Sequence, residues 1–270
     1  MAYSKYLLKM TNDNKNIPTG FGYYLRRMSS TKDVQGTIKR VKDSKATWIS
    51  LMVEAEDGYI NSKSILKTYS DAFKSNGIKV WVWTFPGNKR AADVEESAAA
   101  AALAYETALF VNADGIMLDV EKAYKGKKKQ LNQLVNETLD LRNGSSNNKP
   151  MGVGFVSYPI PTFHRDIDWT CATKCDFASP MIYDTSKTKQ LVDRCYNEYT
   201  KYNPVWIPSM ATYETESPDS EEKQLKGDFD RIFEGNGNRN IPAAIFWSES
   251  TTGDKERKLI ADYSDLLFIK

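Results

Sequence analysis

The sequence predicts one (β/α)8 barrel built from the whole chain, residues 1–270. Three observations predict it. Short apolar segments alternate with helix-patterned ones from end to end, eight units in all, as such a barrel requires. The strand segments lack a clean inside–outside alternation, as a parallel sheet covered on both faces should. No linker or composition break divides the chain. No glycine-rich phosphate loop follows the first strand, which disfavours an open doubly wound sheet.

The elements follow in order. "GFGYYLRRM" (20–28) reads as strand one, and a polar helix follows around 31–43. "ATWISLMVEAEDG" (46–58) is a buried strand with an acidic end. "SKSILKTYSDAFKSNG" (62–77) has helical spacing and stops at Gly77. "IKVWVWTFPGN" (78–88) is strand three, closed by Pro86 and Gly87. "ADVEESAAAAALAYETALFVNA" (92–113) is rich in strong helix formers. "DGIMLDVE" (114–121) is strand four, followed by a helix over 127–144. "MGVGFVSYP" (151–159) is strand five, and a short helix near 163–174 leads to "DFASPMIYD" (176–184), strand six. A helix over 188–202 precedes "VWIPSMATYE" (205–214), strand seven. A helix over 220–235, with Asp219 as N-cap and Glu222 supporting it, precedes "PAAIFWSES" (242–250), strand eight. A last helix covers 254–268.

Composition narrows the function. With 37 basic and 35 acidic residues the formal net charge is +2, so no broad field invites nucleic acid. The cluster "KGKKK" (125–129) reads as a solvated loop and helix start. The 6 Trp and 15 Tyr suit either stacking on flat sugars or filling a large core. Cys171, Cys175 and Cys195 have no framework spacing and read as structural thiols. The one histidine, His164, completes no zinc set with them. The N-terminal stretch has no apolar run of signal-peptide length, and no segment approaches the roughly 20 apolar residues of a membrane span. The expectation is a chain made in the cytoplasm, with no membrane partner, released by lysis, by a secretion machine or within a particle. No cofactor and no metal is expected. The sequence sets no oligomeric state.

In a barrel the site lies at the C-terminal ends of the strands. Those ends deliver Glu54, Glu56 and Asp57 from strand two, and Trp81, Trp83 and Thr84 from strand three. Strand four delivers Asp119 and Glu121, and strand five Ser157 and Tyr158. Strand six delivers Met181, Tyr183 and Asp184; strand seven Met210, Tyr213 and Glu214; strand eight Trp247, Ser248 and Glu249. The inventory is acids and aromatics without histidine. That disfavours a His-based triad and favours carboxylate chemistry on an uncharged ring, glycoside hydrolysis above all. Asp119 and Glu121 are two apart, so on a strand they share a face. Two carboxylates on one strand face repel when both are ionised, so one pKa rises, which is what a general acid near neutral pH needs.

Three segments carry a resemblance. "DGIMLDVE" resembles the strand-four signature of glycoside hydrolase family 18, the chitinase-like barrels, which ends in Asp-x-Glu. "PMIYD" resembles that family's Met-x-Tyr-Asp on strand six, and "IFWSES" its strand-eight segment. The resemblance implies Glu121 as general acid/base and Asp119 as the residue orienting the substrate's N-acetyl group, whose carbonyl oxygen is the nucleophile. It implies Tyr183 bonded to that group, Trp247 beneath the sugar and Asp184 in the polar network. Trp83, Tyr213, Met181 and Glu54 complete the candidate substrate-binding set. The implied substrate is a β-linked N-acetylated glycan, chitin-like or peptidoglycan. One position departs: the family carries a further Asp two residues before the Asp-x-Glu aspartate, and here it is Met117.

Weaker resemblances run to the barrel muramidases of family 25, which usually begin with an acid near the end of strand one, absent here, and to unassigned barrels of phage and bacterial proteins. Three function classes follow: a glycosidase; a weakly active or inactive glycan-binding or structural barrel, which Met117 favours; and a barrel using Asp119 and Glu121 as metal ligands.

Overall fold

Eight parallel strands close on themselves in chain order, each paired with the next and β8 paired with β1. The structure is a computed structural model and describes residues 16–28, 33–144, 150–183, 188–203, 205–212, 225–227, 229–234 and 241–264. The strands are β1 Gly20–Leu25, β2 Trp48–Met52, β3 Lys79–Thr84, β4 Gly115–Val120, β5 Gly152–Ser157, β6 Phe177–Ile182, β7 Ser209–Ala211 and β8 Ala243–Trp247. The helices are α1 Val34–Asp43, α2 Lys63–Ser75, α3 Val94–Phe110, α4 Lys128–Gly144, α5 Thr188–Tyr199 and α6 Asp254–Tyr263.

The predicted (β/α)8 barrel is therefore the observed fold. Two elements differ from the reading of the sequence. Strand seven is only three residues long, because Trp206 makes an isolated bridge to Ala178 and the chain pairs again only from Ser209. The short helix after strand five is two 3-10 turns, Pro161–Phe163 and Trp169–Lys174. The expected helix after strand seven, with its cap Asp219 and Glu222, falls largely outside the described residues; Asp230–Glu234 forms a π-helical turn.

Local chemistry explains the boundaries. α2 ends just before Gly77, whose φ of +75° is left-handed backbone that a side chain disfavours. α3 starts at Asp93, whose carboxylate accepts the Glu96 N–H at 2.8 Å. Its buried face is mostly alanine (Ala100, Ala101, Ala104, Ala108), which lets the helix lie close to its neighbours.

Two apolar layers result. Residues pointing outward from the strands, such as Ile49, Leu51, Val80, Val82, Ile116 and Leu118, pack under the helices. Residues pointing inward fill the barrel: Trp48, Trp81, Trp83, Met117, Phe177, Met181 and Ile245 among them. The inner rings meet edge-on, Trp81 with Phe177 at 5.5 Å between centroids, an arrangement worth about 1 kcal/mol beyond burial. They fit because facing positions are glycine. A Cβ on Gly22 would lie 2.3 Å from the Trp48 ring, one on Gly115 2.2 Å from Trp81, and one on Gly154 2.2 Å from Phe177. Above them a polar layer begins: the Tyr24 hydroxyl lies 3.1 Å from Ser209 Oγ, which lies 2.8 Å from Ser179 Oγ.

Candidate active site

β4 brings its acids to the mouth of the barrel. Met117 belongs to the inner set, so by the two-residue period Asp119 also points inward and Glu121 follows at the rim. The chain leaves the strand at Glu121 and turns at once through Lys122–Tyr124, with the Tyr124 N–H on the Glu121 carbonyl at 3.1 Å. Glu56 reaches the same space from the loop after β2. Gly87 lies so close to that loop that a Cβ would stand 1.9 Å from the Glu56 carbonyl oxygen.

The electrostatics follow from burial and like charge. Asp119 is 5% exposed, and its Oδ1 is buried without a hydrogen-bond partner. Burial first, then the charges of Glu121 and Glu56, hold its carboxyl well above the ordinary aspartate range. Glu121 is half-buried and pushed up to about 7, by burial first and by Glu56 second. Two acids that interact this strongly lose their protons in steps that belong to the pair. Near neutral pH the pair retains a proton that isolated carboxyls would have lost.

The aromatic wall is continuous. Trp247 packs against Tyr24 at 5.4 Å, against Trp83 at 5.4 Å and near Tyr183 at 6.4 Å. The Trp247–Ser248 peptide is cis. Burial and then the Asp119 charge raise the Tyr24 phenol, which places that ring beside both the acids and Trp247. On the β5 side, burial and then Glu121 and Asp119 push the Tyr158 phenol up to about 12. The Tyr158 ring stacks on His164 at 3.9 Å and 14°.

Asp119, Glu121, Tyr183 and Trp247 thus share one mouth. Met181 is buried within the barrel, one inward position before Tyr183. Trp83 is 0% exposed; it supports Trp247 from below rather than facing a ligand. Trp81 lies deeper still, among the floor rings. Glu54 stands apart from the acids. It is 3% exposed and its carboxylate accepts Arg90 Nε at 2.9 Å, while Arg90 also reaches Glu96 at 3.0 Å. That arrangement ties β2 to the start of α3. Asp184, Tyr213 and Glu214 lie outside the described residues.

Sequence reasoning placed Glu56 and Tyr158 at strand ends without giving them a role, and passed over Tyr24. For Tyr24 a signal existed: Gly20, Gly22 and Tyr24 alternate on the inward face of β1. The Tyr158–His164 stack had no local signal, because it depends on how the loop after β5 folds back.

Among the described residues no group of three or more His, Cys, Asp or Glu is arranged to hold a metal ion. Cys171, Cys175 and Cys195 are buried and form no disulfide with one another, with Cys171 pushed up to about 12 by burial. No helix of the described residues is long and apolar enough to cross a membrane.

The acid pair and the aromatic wall sit at the mouth of a (β/α)8 barrel, and the solved structures it matches have that fold. A chitinase of glycoside hydrolase family 18 from Flavobacterium johnsoniae matches with a TM-score of 0.64 at 12% identity, over 92% of this chain and 94% of that one. The catalytic domain of a hyperthermophilic chitinase from Pyrococcus furiosus matches with a TM-score of 0.65 at 13% identity, over 96% and 99%. The spore cortex-lytic enzyme SleL of Bacillus megaterium matches with a TM-score of 0.64 at 11% identity, over 91% and 74%. At these identities the likeness is one of fold. No protein-family model and no curated protein matches the sequence.

Proposed function

We propose that the protein is a glycoside hydrolase acting on β-linked N-acetylated glycans, chitin-like or peptidoglycan, with Glu121 as general acid/base. The observation that carries this reading is the acid pair at the end of β4: a buried Asp119 with an unsatisfied oxygen beside a Glu121 pushed up to about 7. A carboxyl tuned to that range can give a proton and take it back at neutral pH.

In this reading Glu121 gives its proton to the glycosidic oxygen as the bond to the anomeric carbon breaks. The carbonyl oxygen of the substrate's own N-acetyl group closes on that carbon. Water then attacks the same carbon and gives its proton to the Glu121 carboxylate, which restores the acid. This substrate-assisted route stands apart from the two-carboxylate scheme. Asp119 Oδ1 accepts the acetamido N–H and so aims the carbonyl oxygen. The proton retained by Asp119 stabilises the Glu121 carboxylate after transfer. Tyr183 bonds the acetamido group and Trp247 carries the sugar ring.

Met117 favours a second reading, a glycan-binding barrel with little or no turnover. The inward position beneath Asp119 holds Met117, 0% exposed among apolar neighbours, and a thioether cannot share the proton. The deciding experiment incubates the protein with N-acetylglucosamine oligomers and peptidoglycan fragments and follows products. Hydrolysis that disappears in Glu121→Gln supports the enzyme. Oligosaccharide binding without products at any pH supports the second reading.

A further inference from the structure

Two cations stand on the aromatic walls of the mouth with no acid paired to them. The Lys125 ammonium lies over the Tyr158 ring, 4.9 Å from its centroid, and the Arg26 guanidinium lies over Trp247 at 5.7 Å. Neither makes an ion pair among the described residues. Their neighbours do: Arg27 is paired with Asp57, and Lys128 reaches Asp168 at 3.6 Å. Nor do the two cations offset the site acids, whose environment is set by burial and by one another with Glu56. The exposed acid on the Tyr158 wall, Asp166, is beyond ion-pair distance of Lys125.

Both cations are held by the fold rather than by their charges. The Lys125 N–H donates to the Lys122 carbonyl at 3.2 Å, and the next residue, Gly126, donates to the Asp166 carbonyl at 2.8 Å, tying the loops after β4 and β5 together. Tyr158 itself is fixed by its stack on His164 and by the Tyr199 hydroxyl, which donates to its carbonyl. Across the mouth, Asn61 Nδ2 donates to the Arg26 carbonyl at 3.0 Å and to the Met52 carbonyl at 2.7 Å, pinning β1 to β2.

A fixed cation beside an aromatic face suits a flat sugar that carries an anion. The ring takes the apolar face and the cation takes the charge. A neutral glycan would leave both cations unused. We propose that the mouth binds a carboxylate-bearing N-acetylated glycan, with Lys125 and Arg26 as its carboxylate-binding positions. The proposal rests on the glycan reading above and narrows it to acidic glycans.

The test titrates the Glu121→Gln protein calorimetrically with a tetrasaccharide alternating N-acetylglucosamine and N-acetylmuramic acid. Its lactyl carboxylates are either free or converted to amides. The free acid should bind about tenfold more tightly than the amide at low salt, and added salt should erode the preference. Lys125→Gln should remove most of the preference and Lys125→Arg should keep it. Arg26→Gln is the second variant, at an exposed side chain outside the core. Equal affinity for the two probes, a preference that survives both glutamine substitutions, or no binding of either probe overturns the proposal. Turnover is read separately with Glu121 restored. Preferential binding of the acid without cleavage sinks the hydrolase reading and keeps the carboxylate site. Cleavage of both probes with equal affinity does the reverse.

Discussion

Met117 and Asp119 occupy successive inward positions on β4, so the place below the buried Asp119 carboxyl is filled by a thioether. The proton on the acid pair therefore has no carboxylate at the inward position below Asp119 to move to. Much of the chemistry expected of this mouth follows from that relationship.

Replacing Glu121 by Gln should lower kcat on N-acetylated oligosaccharides by about a thousandfold, the scale of a lost general acid/base. Circular dichroism should be unchanged, since the side chain keeps its shape at the rim. Turnover at the parent rate in this variant would remove Glu121 from the mechanism.

The pH dependence has a definite sign. Glu121 titrates at about 7, and it must be protonated to act as the acid, so kcat/KM should fall as pH rises through about 7. Glu56→Gln removes the like charge acting on it and should move that limb to lower pH.

Stability should run the same way. Glu121 and Asp119 both have folded pKa values above those of the unfolded chain. Between the unfolded values and the folded ones the folded state therefore binds more protons, and stability falls as pH rises through that window. Asp119→Asn removes the cost of holding either a charge or an extra proton at this buried position and should raise Tm at pH 8 by about 3 °C, with a smaller effect at pH 5. A variant that melts earlier than the parent at pH 8 would contradict an Asp119 carboxyl raised by burial.

Arg90→Ala should destabilise the barrel by about 3 kcal/mol, because it leaves the Glu54 carboxylate buried without its partner. Adding Glu54→Gln should recover most of the loss in a urea titration. If Glu54 instead belongs to the substrate site, Glu54→Gln alone will raise KM.

Gly154→Ala should cost about 2 kcal/mol, since the new methyl would meet the Phe177 ring at 2.2 Å. Phe177→Leu in the same chain should restore part of the stability.

Much of this was legible in the sequence because it is written locally. The eight strand segments, the stop at Gly77 and the shared face of Asp119 and Glu121 follow from periodicity and from single residues. The ion pair of Glu54 with Arg90 was not legible, because its members lie 36 residues apart and meet only when β2 and α3 pack. Trp83 read as a strand-end residue, but an inward position one layer down looks the same in sequence as one at the rim. The three-residue β7 escaped because an apolar run does not reveal where hydrogen bonding resumes.

Three rings, Trp48, Trp81 and Phe177, plug the N-terminal end of the barrel, and Ile17 packs against the inner cluster to which they belong. A vessel sealed at its base has one door. Whatever enters the mouth must back out by the route it came, and in the proposed hydrolysis the attacking water would use the same opening as the departing product. The loops after β4 and β5, which the Gly126 N–H ties together at the Asp166 carbonyl, form part of that single threshold.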